Sequence, residues 1–509
     1  MKLGLNQTLV ALLGGICMGL TVAPWQAWPL AAIALVPLWW LTQGLSPAQA
    51  AIAGAVWGFG YHGLALFWIT GIHPMTWLGV GWWSSLAIAI GVWLLITCWG
   101  MILVAIWAGG MAWWSPKLGI WQRICLGCAW FCLLETIWSH GSLYWTALGY
   151  TQSPENLGFL QISKLSGQQT VTAAIVALNG LIAETRRDRR SLVAAGILIS
   201  AIYGYGLNEM RPDVVEAANL IPLKAGIIQG NIPNSVKLST DGIQLSLDRY
   251  LQGYQALAQA QADLILTPET AIPLLFPQRS ALRQEFDRVI QANPVPMWLG
   301  AFGRSSSDRL NYTNSLFLIK GSTAVIAQYH KVKLVPIGEF IPFKSILGSL
   351  IQRLSPLRGE VEPGQPNQLV DSPWGRLILA ICYESAYPEH FRYQAAAAGQ
   401  LILTAANNAH YAAAMPAQHH AQDVARAIET NRWAVRATNT GYSGIVDPVG
   451  RTLWQSGLNT SETHLATVYL RQTLTPYVRW GDWLTKLLVA ISLVNLLIVH
   501  RARQRDRSG

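Results

Sequence analysis

Read in windows of about twenty residues, the length that carries a helix across a bilayer core, the chain alternates long apolar runs with one extended polar segment. Apolar spans stand near residues 6–22, 28–44, 49–71, 82–108, 119–138, 166–184, 191–208 and 481–500. The pattern predicts a multi-pass helical membrane domain of about eight transmembrane helices, seven within residues 1–208 and the eighth at 481–500. A cleaved leader competes for the first run, given Lys2 and a short apolar stretch. No small-residue cleavage site precedes the next run, so a retained helix is expected.

In the polar segment the period changes. "AGIIQGNIP", "ADLILTPET", "MWLGAFG", "NSLFLI", "TAVIAQYHKV", "RLILAICYES", "LILTAANNA", "WAVRATNTG" and "HLATVYL" are short apolar runs bounded by Gly, Pro, Asn or Asp, and they predict strands. Between several of them, Gln244–Gln261, Arg279–Ala292 and Pro416–Arg432 repeat apolar residues at helical spacing. Strands alternating with helices predict an α/β domain over 222–471.

Composition and charge fix the setting. The 509 residues are 52% hydrophobic and only 12% charged, where soluble domains carry roughly a quarter charged residues. Twenty-four tryptophans and 45 glycines suit bilayer interfaces and close helix packing. The net charge of +10 forms no basic face with interleaved aromatics, so nucleic acid is not an expected partner. It gathers instead at "RRDRR" (Arg186–Arg190), in the Lys117/Arg123 loop and in the tail "HRARQRDR". Such clusters stay cytoplasmic. Counting spans from each of them puts both termini inside and the polar segment outside, with consistent parity.

Cysteine usage then singles out one residue. Cys17, Cys98, Cys125, Cys128 and Cys132 fall in apolar spans, leaving Cys382 alone in the outward domain. A lone thiol has no disulfide partner there and is a liability in an oxidising compartment, which favours a reactive role. "CLGC" (Cys125–Cys128) has redox or metal spacing, but with no second pair in an apolar helix it reads as helix packing. A thiol attacking an acyl carbon needs a base and donors for the oxyanion. Two other strand ends supply candidates: Glu269 in "LILTPETAIP", and His330, Lys331, Lys333 and Glu339 in "AQYHKVKLVPIGEFIPF".

Glu in "TPET", Lys in "YHKVKLVPIGEFIP" and Cys in "CYES", in that order, resemble the Glu-Lys-Cys triad of the nitrilase (carbon-nitrogen hydrolase) superfamily. Together with the membrane part and with "QGNIP" (Gln229–Pro233), "LVPIGEFIP" (Leu334–Pro342), "RATNTG" (Arg436–Gly441) and "LGYTQ" (Leu148–Gln152), they resemble the apolipoprotein N-acyltransferases over essentially the whole chain. The resemblance implies a nitrilase-like αββα sandwich on the outer face of a bacterial inner membrane. It also implies a two-step transfer: Cys382 takes a fatty acyl chain from a phospholipid, typically phosphatidylethanolamine, and passes it to the α-amino group of an apolipoprotein's diacylglyceryl cysteine. Glu269 would be the general base, and Lys331 with the backbone N–H of Tyr383 would hold the oxyanion. Glu339 and Glu384 are further family positions near the reaction centre, one of them expected to orient Lys331. No cofactor and no metal is required.

The chain departs from the family pattern at Leu238, where many members carry Trp, and at Asn408 and His410, where Asp and Trp are usual. Both loops are expected over the cleft. Other signals are set aside. "GFGYHG" (Gly58–Gly63) lacks a preceding strand and reads as helix packing rather than dinucleotide binding; His419 and His420 are adjacent on a helix and so face apart, unlike a zinc pair. Glu135 lies in the fifth span, where a carboxyl is costly and marks a buried polar contact, a functional role or a site near the outer interface. Two other functions fit less well. A membrane-tethered amidase of the same superfamily has no need of eight spans, and a transporter would show paired ionisable residues in them.

Overall fold

The structure, a computed structural model, describes residues 3–211, 220–276, 281–305, 310–336, 338–340 and 359–508. The chain divides into two units: Met1–Thr70, Leu86–Arg211 and Thr475–Gly509 form one, Gly71–Ser85 and Pro212–Leu474 the other.

The first unit is helical, and length decides which helices span a bilayer by themselves. Four are long and apolar enough among the described residues: Trp82–Lys117, Ile120–Ser139, Arg190–Glu209 and Trp483–Ala502. The other expected spans are shorter or less apolar. The first is the 15-residue helix Leu5–Gly19, the third Pro47–Ala65 and the sixth Gln168–Glu184. The second is not one helix. Pro29 and Pro37 divide it into a 3-10 turn, Trp28–Ala32, and the nine-residue helix Val36–Gly44, which at 1.5 Å per residue covers less than half of a roughly 30 Å core.

Small residues bring these helices together. A Cβ on Gly15 would collide with the backbone of Trp57, one on Gly60 would come within 2.8 Å of Leu12 O, and one on Gly58 within 2.9 Å of Met101 Cα. The glycines of "GFGYHG" are thus helix-packing positions. Cys128 and Cys132 donate their thiols to Ala173 O and Gln169 O, each at 3.6 Å, so the cysteine cluster also holds helices together. Glu135 is fully buried and accepts hydrogen bonds from Tyr144 Oη (2.8 Å), Leu148 N (2.8 Å) and Thr172 Oγ1 (2.5 Å). It is a buried polar contact, tying the "LGYTQ" turn to the bundle, and not a hydrated interfacial residue.

The second unit is an α/β sandwich. One sheet has seven strands in the order β13 (Glu462–Leu470), β1 (Ile221–Gln229), β2 (Leu264–Leu266), β4 (Met297–Arg304), β5 (Tyr312–Lys320), β6 (Ser322–His330), with β3 (Ile272–Phe276) also on β4. The other runs β12 (Thr452–Gln455), β11 (Gly444–Val446), β10 (Ala434–Thr438), β9 (Ile402–Ala406), β8 (Gly375–Ile381), β7 (Val370–Ser372). Period-two alternation builds the layers. Leu264, Leu266, Leu316 and Leu318 join Leu377, Leu379, Leu403 and Val435 in the core between the sheets. Their neighbours Ile265, Phe317 and Ile319 turn outward to pack on Leu247, Tyr250, Tyr254 and Leu257 of the helix Thr240–Gln259 and on Phe286 and Ile290 of Ala281–Ala292. Helices Pro388–Ala396 and Ala414–Thr430 cover the second sheet. The layers are α, β, β, α. All nine expected strands and all three expected helices are present, with residues 279 and 280 of the middle helix outside the described residues.

Candidate active site

Parallel pairing sets the site. β1, β2 and β4 run parallel, as do β8, β9 and β10, and α/β sheets gather ligands beyond such carboxyl ends. Glu269 follows β2, Lys331 follows β6 and Cys382 follows β8. All three are buried, at 6%, 1% and 5% exposure, so the Glu269 and Lys331 charges act on each other and on the thiol through protein rather than water.

Lys331 Nζ lies 2.9 Å from Glu269 Oε1 and 2.9 Å from Glu339 Oε2. Asn314 Nδ2 donates to the same two carboxylates, at 2.6 Å to Glu269 and 3.0 Å to Glu339. The other oxygen of Glu269 accepts from Asn407 N at 3.0 Å. The same amide works against burial at the Cys382 thiol, so one backbone N–H favours negative charge on both the carboxylate and the sulfur. Burial alone would raise the Glu269 carboxyl; the adjacent ammonium and the hydrogen bonds outweigh it and hold the group below the usual range. Burial alone would lower Lys331, but two carboxylates keep it cationic. Burial, with the Glu269 charge behind it, pushes the Cys382 thiol up to about 12.

Two turns present these groups, and both are strained. Cys382 has φ +52° and Thr270, directly after Glu269, has φ +46°, left-handed values that side chains other than glycine rarely adopt. Gly300 lets the second turn sit close, since a Cβ there would collide with Pro268 O. Lys237, buried, donates to Glu269 O at 3.3 Å and to Thr270 Oγ1 at 2.8 Å.

Of the two further carboxylates, Glu339 touches Lys331 and Glu384 does not. Glu384, fully buried, accepts from Val332 N (2.6 Å), Lys333 N (3.1 Å), Ile381 N (2.6 Å) and Tyr329 Oη (2.8 Å). It therefore ties the strand end carrying Lys331 to the one carrying Cys382. Tyr383 begins the turn after Cys382 and sets its ring edge-on against Tyr387, 5.4 Å between centroids. In "LVPIGEFIP", Ile337, Ile341 and Pro342 lie outside the described residues. His330 faces away toward Ser315 and Thr313, at 2.7 and 3.1 Å, and Lys333 lies over the Tyr387 ring at 4.9 Å. His419 and His420 have separate partners, Cys382 O and Thr452 Oγ1.

Asn314, Lys237, Asn407 and His419 were not expected at the centre. Asn314 left a trace: a buried amide inside the apolar run of β5 breaks the strand's pattern. The three positions expected to depart from the family pattern have defined surroundings. Leu238 caps the short helix Asn234–Lys237, His410 stacks on Trp77 and meets Asn234 at 2.7 Å, and Asn408 lies between His419 and Arg436.

The chain matches two family models, one described as "Apolipoprotein N-acyltransferase N-terminal domain" over residues 14–181 and one as "Carbon-nitrogen hydrolase" over 224–474. A protein of Nostoc sp. named apolipoprotein N-acyltransferase is 50% identical, covering 94% of this chain and 96% of its own. The chain belongs to the apolipoprotein N-acyltransferases. A relative of the same name from Synechocystis sp. is 41% identical over 96% of this chain and 100% of its own. Among solved structures, Saccharomyces cerevisiae Nit3, a nitrilase-superfamily member, is 15% identical and covers 49% of this chain and 90% of its own, at a TM-score of 0.38. As an apolipoprotein N-acyltransferase the protein is an acyltransferase of the carbon-nitrogen hydrolase superfamily, and its apolar helices mark it as a membrane protein.

Proposed function

We propose that Cys382 carries a fatty acyl group from a phospholipid, of which phosphatidylethanolamine is the expected donor, to the α-amino group of a diacylglyceryl apolipoprotein. The observation that supports this most directly is the buried Lys331–Glu269 ion pair, which places a cation and a carboxylate where both act on the Cys382 thiol.

In the first step Sγ attacks the ester carbonyl and its proton passes to Glu269. A thiol that titrates near 12 at rest beside a carboxylate held low is not a standing thiolate, so proton transfer accompanies S–C bond formation. The oxyanion is held by Lys331 and by the amide of Tyr383. It collapses to the thioester as Glu269 returns the proton to the departing lysophospholipid alkoxide. In the second step the lipoprotein amine attacks the thioester, Glu269 takes the amine proton, and the expelled thiolate recovers it. Glu339 keeps Lys331 charged through both steps.

The same reading puts both termini on the cytoplasmic side, the α/β unit outside, and eight crossings in between, with Trp28–Gly44 serving as the second. Side-chain pairs within the helical unit support it. Glu184 joins Arg123 (2.9 Å), Gln43 (2.7 Å) and Trp39 (3.1 Å), and Arg186 covers the Trp40 ring at 3.5 Å. The ends of spans two, four to five and six therefore meet, as even parity requires. At the other end Asp482 accepts from Thr136 (3.1 Å) and Ser166 (3.3 Å).

The experiment is incubation of the purified full chain with phospholipid labelled in its acyl chain, followed by acid trapping. A hydroxylamine-sensitive label on native protein, absent from Cys382→Ser, is the expected result; an unlabelled native protein would sink the acyl-enzyme scheme. A diacylated lipopeptide added next should leave as a triacylated product, whereas release of free fatty acid alone would mean that water is the acceptor.

A further inference from the structure

The carbonyl of Cys382 accepts a hydrogen bond from His419 Nε2 at 2.7 Å. Which ring nitrogen carries the proton can be worked out from the next two residues. Arg436 can only donate, so the Asn408 atom 3.4 Å from its Nη2 is the amide oxygen. The Asn408 NH₂ therefore faces His419 Nδ1, 3.2 Å away. Two donors cannot share a hydrogen bond, so Nδ1 accepts and Nε2 holds the proton that reaches Cys382.

The chain of contacts is anchored at its far end. Asp423 hydrogen-bonds Arg436 Nη1, and Arg436 Nε reaches Tyr442 O at 3.2 Å. Gly441 makes room for Asn408, since a Cβ there would collide with the Asn408 side chain. His419, Asn408, Arg436 and Asp423 are all essentially buried. The charged groups that face the ring are Arg436 from β10, Asp423 from its own helix and Glu269 from the turn after β2. A second donor on the imidazole would point at an NH₂, with a guanidinium behind it. His419 is thus built to stay neutral.

We propose that Asn408 and His419 form a positioning device for the acyl carrier: Asn408 fixes the Nε2–H tautomer, and that N–H holds the backbone of Cys382 in its left-handed turn. This rests on Cys382 being the nucleophile. His419 takes no proton from substrate or thiol; what matters is a neutral donor at the place of Nε2. At position 408 a carboxylate would accept from Nδ1–H instead and hold the ring doubly protonated, so the neutral form depends on Asn408.

The test uses full-length protein and the rate of acyl-enzyme formation from labelled phospholipid as a function of pH. His419→Gln, whose amide NH₂ reaches the place of Nε2, should stay close to the native rate with the native pH profile. His419→Phe should fall by about 100-fold, the scale of a small misplacement of a reacting group. Asn408→Asp should bring in a new ionisation between about pH 5 and 8, where a histidine paired with a carboxylate titrates. Equal losses in Gln and Phe, or an Asn408→Asp profile identical to native, would overturn the device. If His419→Phe does not fold, the Gln rescue and the Asn408→Asp profile still decide it. Label retained in Cys382→Ser would be a different result: it would remove the acyl-carrier reading itself. Nitrogen-15 shifts of His419 would then still report the tautomer, with a doubly protonated ring at neutral pH counting against the proposal.

Discussion

The ammonium of Lys237 donates to the Thr270 hydroxyl at 2.8 Å, inside the turn that presents Glu269. Burial pushes this lysine down to about 8, against the opposing pull of Glu269 and Cys382. It is therefore charged at neutral pH and loses its proton just above. With the charge gone, the field that favours a carboxylate at Glu269 and negative charge on sulfur weakens. Acyl-enzyme formation should show a descending limb near pH 8. Lys237→Arg, always charged, should shift that limb upward, and Lys237→Met should be slower below that pH, with no limb of its own. A limb that keeps its place in Lys237→Met would assign it to another group.

Glu384 accepts four hydrogen bonds, three of them from backbone N–H groups on two different strand ends. Hydrogen bonds to a charged acceptor contribute about 1.5–3 kcal/mol each, and the carboxamide of Glu384→Gln would turn donors toward donors. That variant should unfold several degrees lower, and the residual folded protein should acylate about 100-fold more slowly. Thermal unfolding and a single-turnover acylation measurement check the two halves separately.

Glu339 contacts the Lys331 ammonium, and Asn314 donates to both Glu339 and Glu269. Glu339→Gln removes one of two negative charges against Lys331, so the lysine is held less firmly as an ammonium. In the proposed mechanism the oxyanion then has a weaker partner. Loss of a single oxyanion donor costs about 10² to 10³ in rate, and a variant that only loosens one should lose less, with kcat falling and KM for phospholipid unmoved. A raised KM with native kcat would place Glu339 in lipid binding instead.

Acid should destabilise the α/β unit through its histidines before its carboxylates. Burial, reinforced by Arg436, lowers His419 to about 3 and His420 to about 4. Their unfolded value is about 6.5, so the unfolded chain binds these protons first. The stability they contribute is complete above about pH 6.5 and is lost as pH falls toward 4 and then 3. Glu269 and Asp423, held below their usual ranges, lose theirs only below about pH 4. Unfolding temperature should decline from pH 7 to pH 5, and His420→Gln should make that decline shallower.

How far the sequence revealed this arrangement depended on the length of each signal. Nine strands showed as apolar runs because each buries at least one face over several residues. β3, β7, β11 and β12 did not: β3 carries a proline, and β7, β11 and β12 are three or four residues long with Asp, Ser, Gly, Thr or Gln among them. The second apolar run looked like a span because hydropathy does not register the backbone constraint of Pro29 and Pro37. In the site, Glu269, Lys331 and Cys382 were visible as polar residues ending apolar strands. His419 was not, since a buried histidine among helical residues looks like any other, and only a neighbour 37 positions away in sequence, Cys382 O, gives it meaning.

On the proposed topology, a thiol pushed up to about 12 also bears on survival outside the cytoplasm. Oxidants and common alkylating agents react with the thiolate, and the resting site offers almost none of it. In the proposed mechanism the thiol is armed only while an acyl carbonyl is being attacked. An unpaired cysteine can thus persist in an oxidising environment without a protective disulfide. An effective covalent inhibitor would have to imitate the ester it replaces.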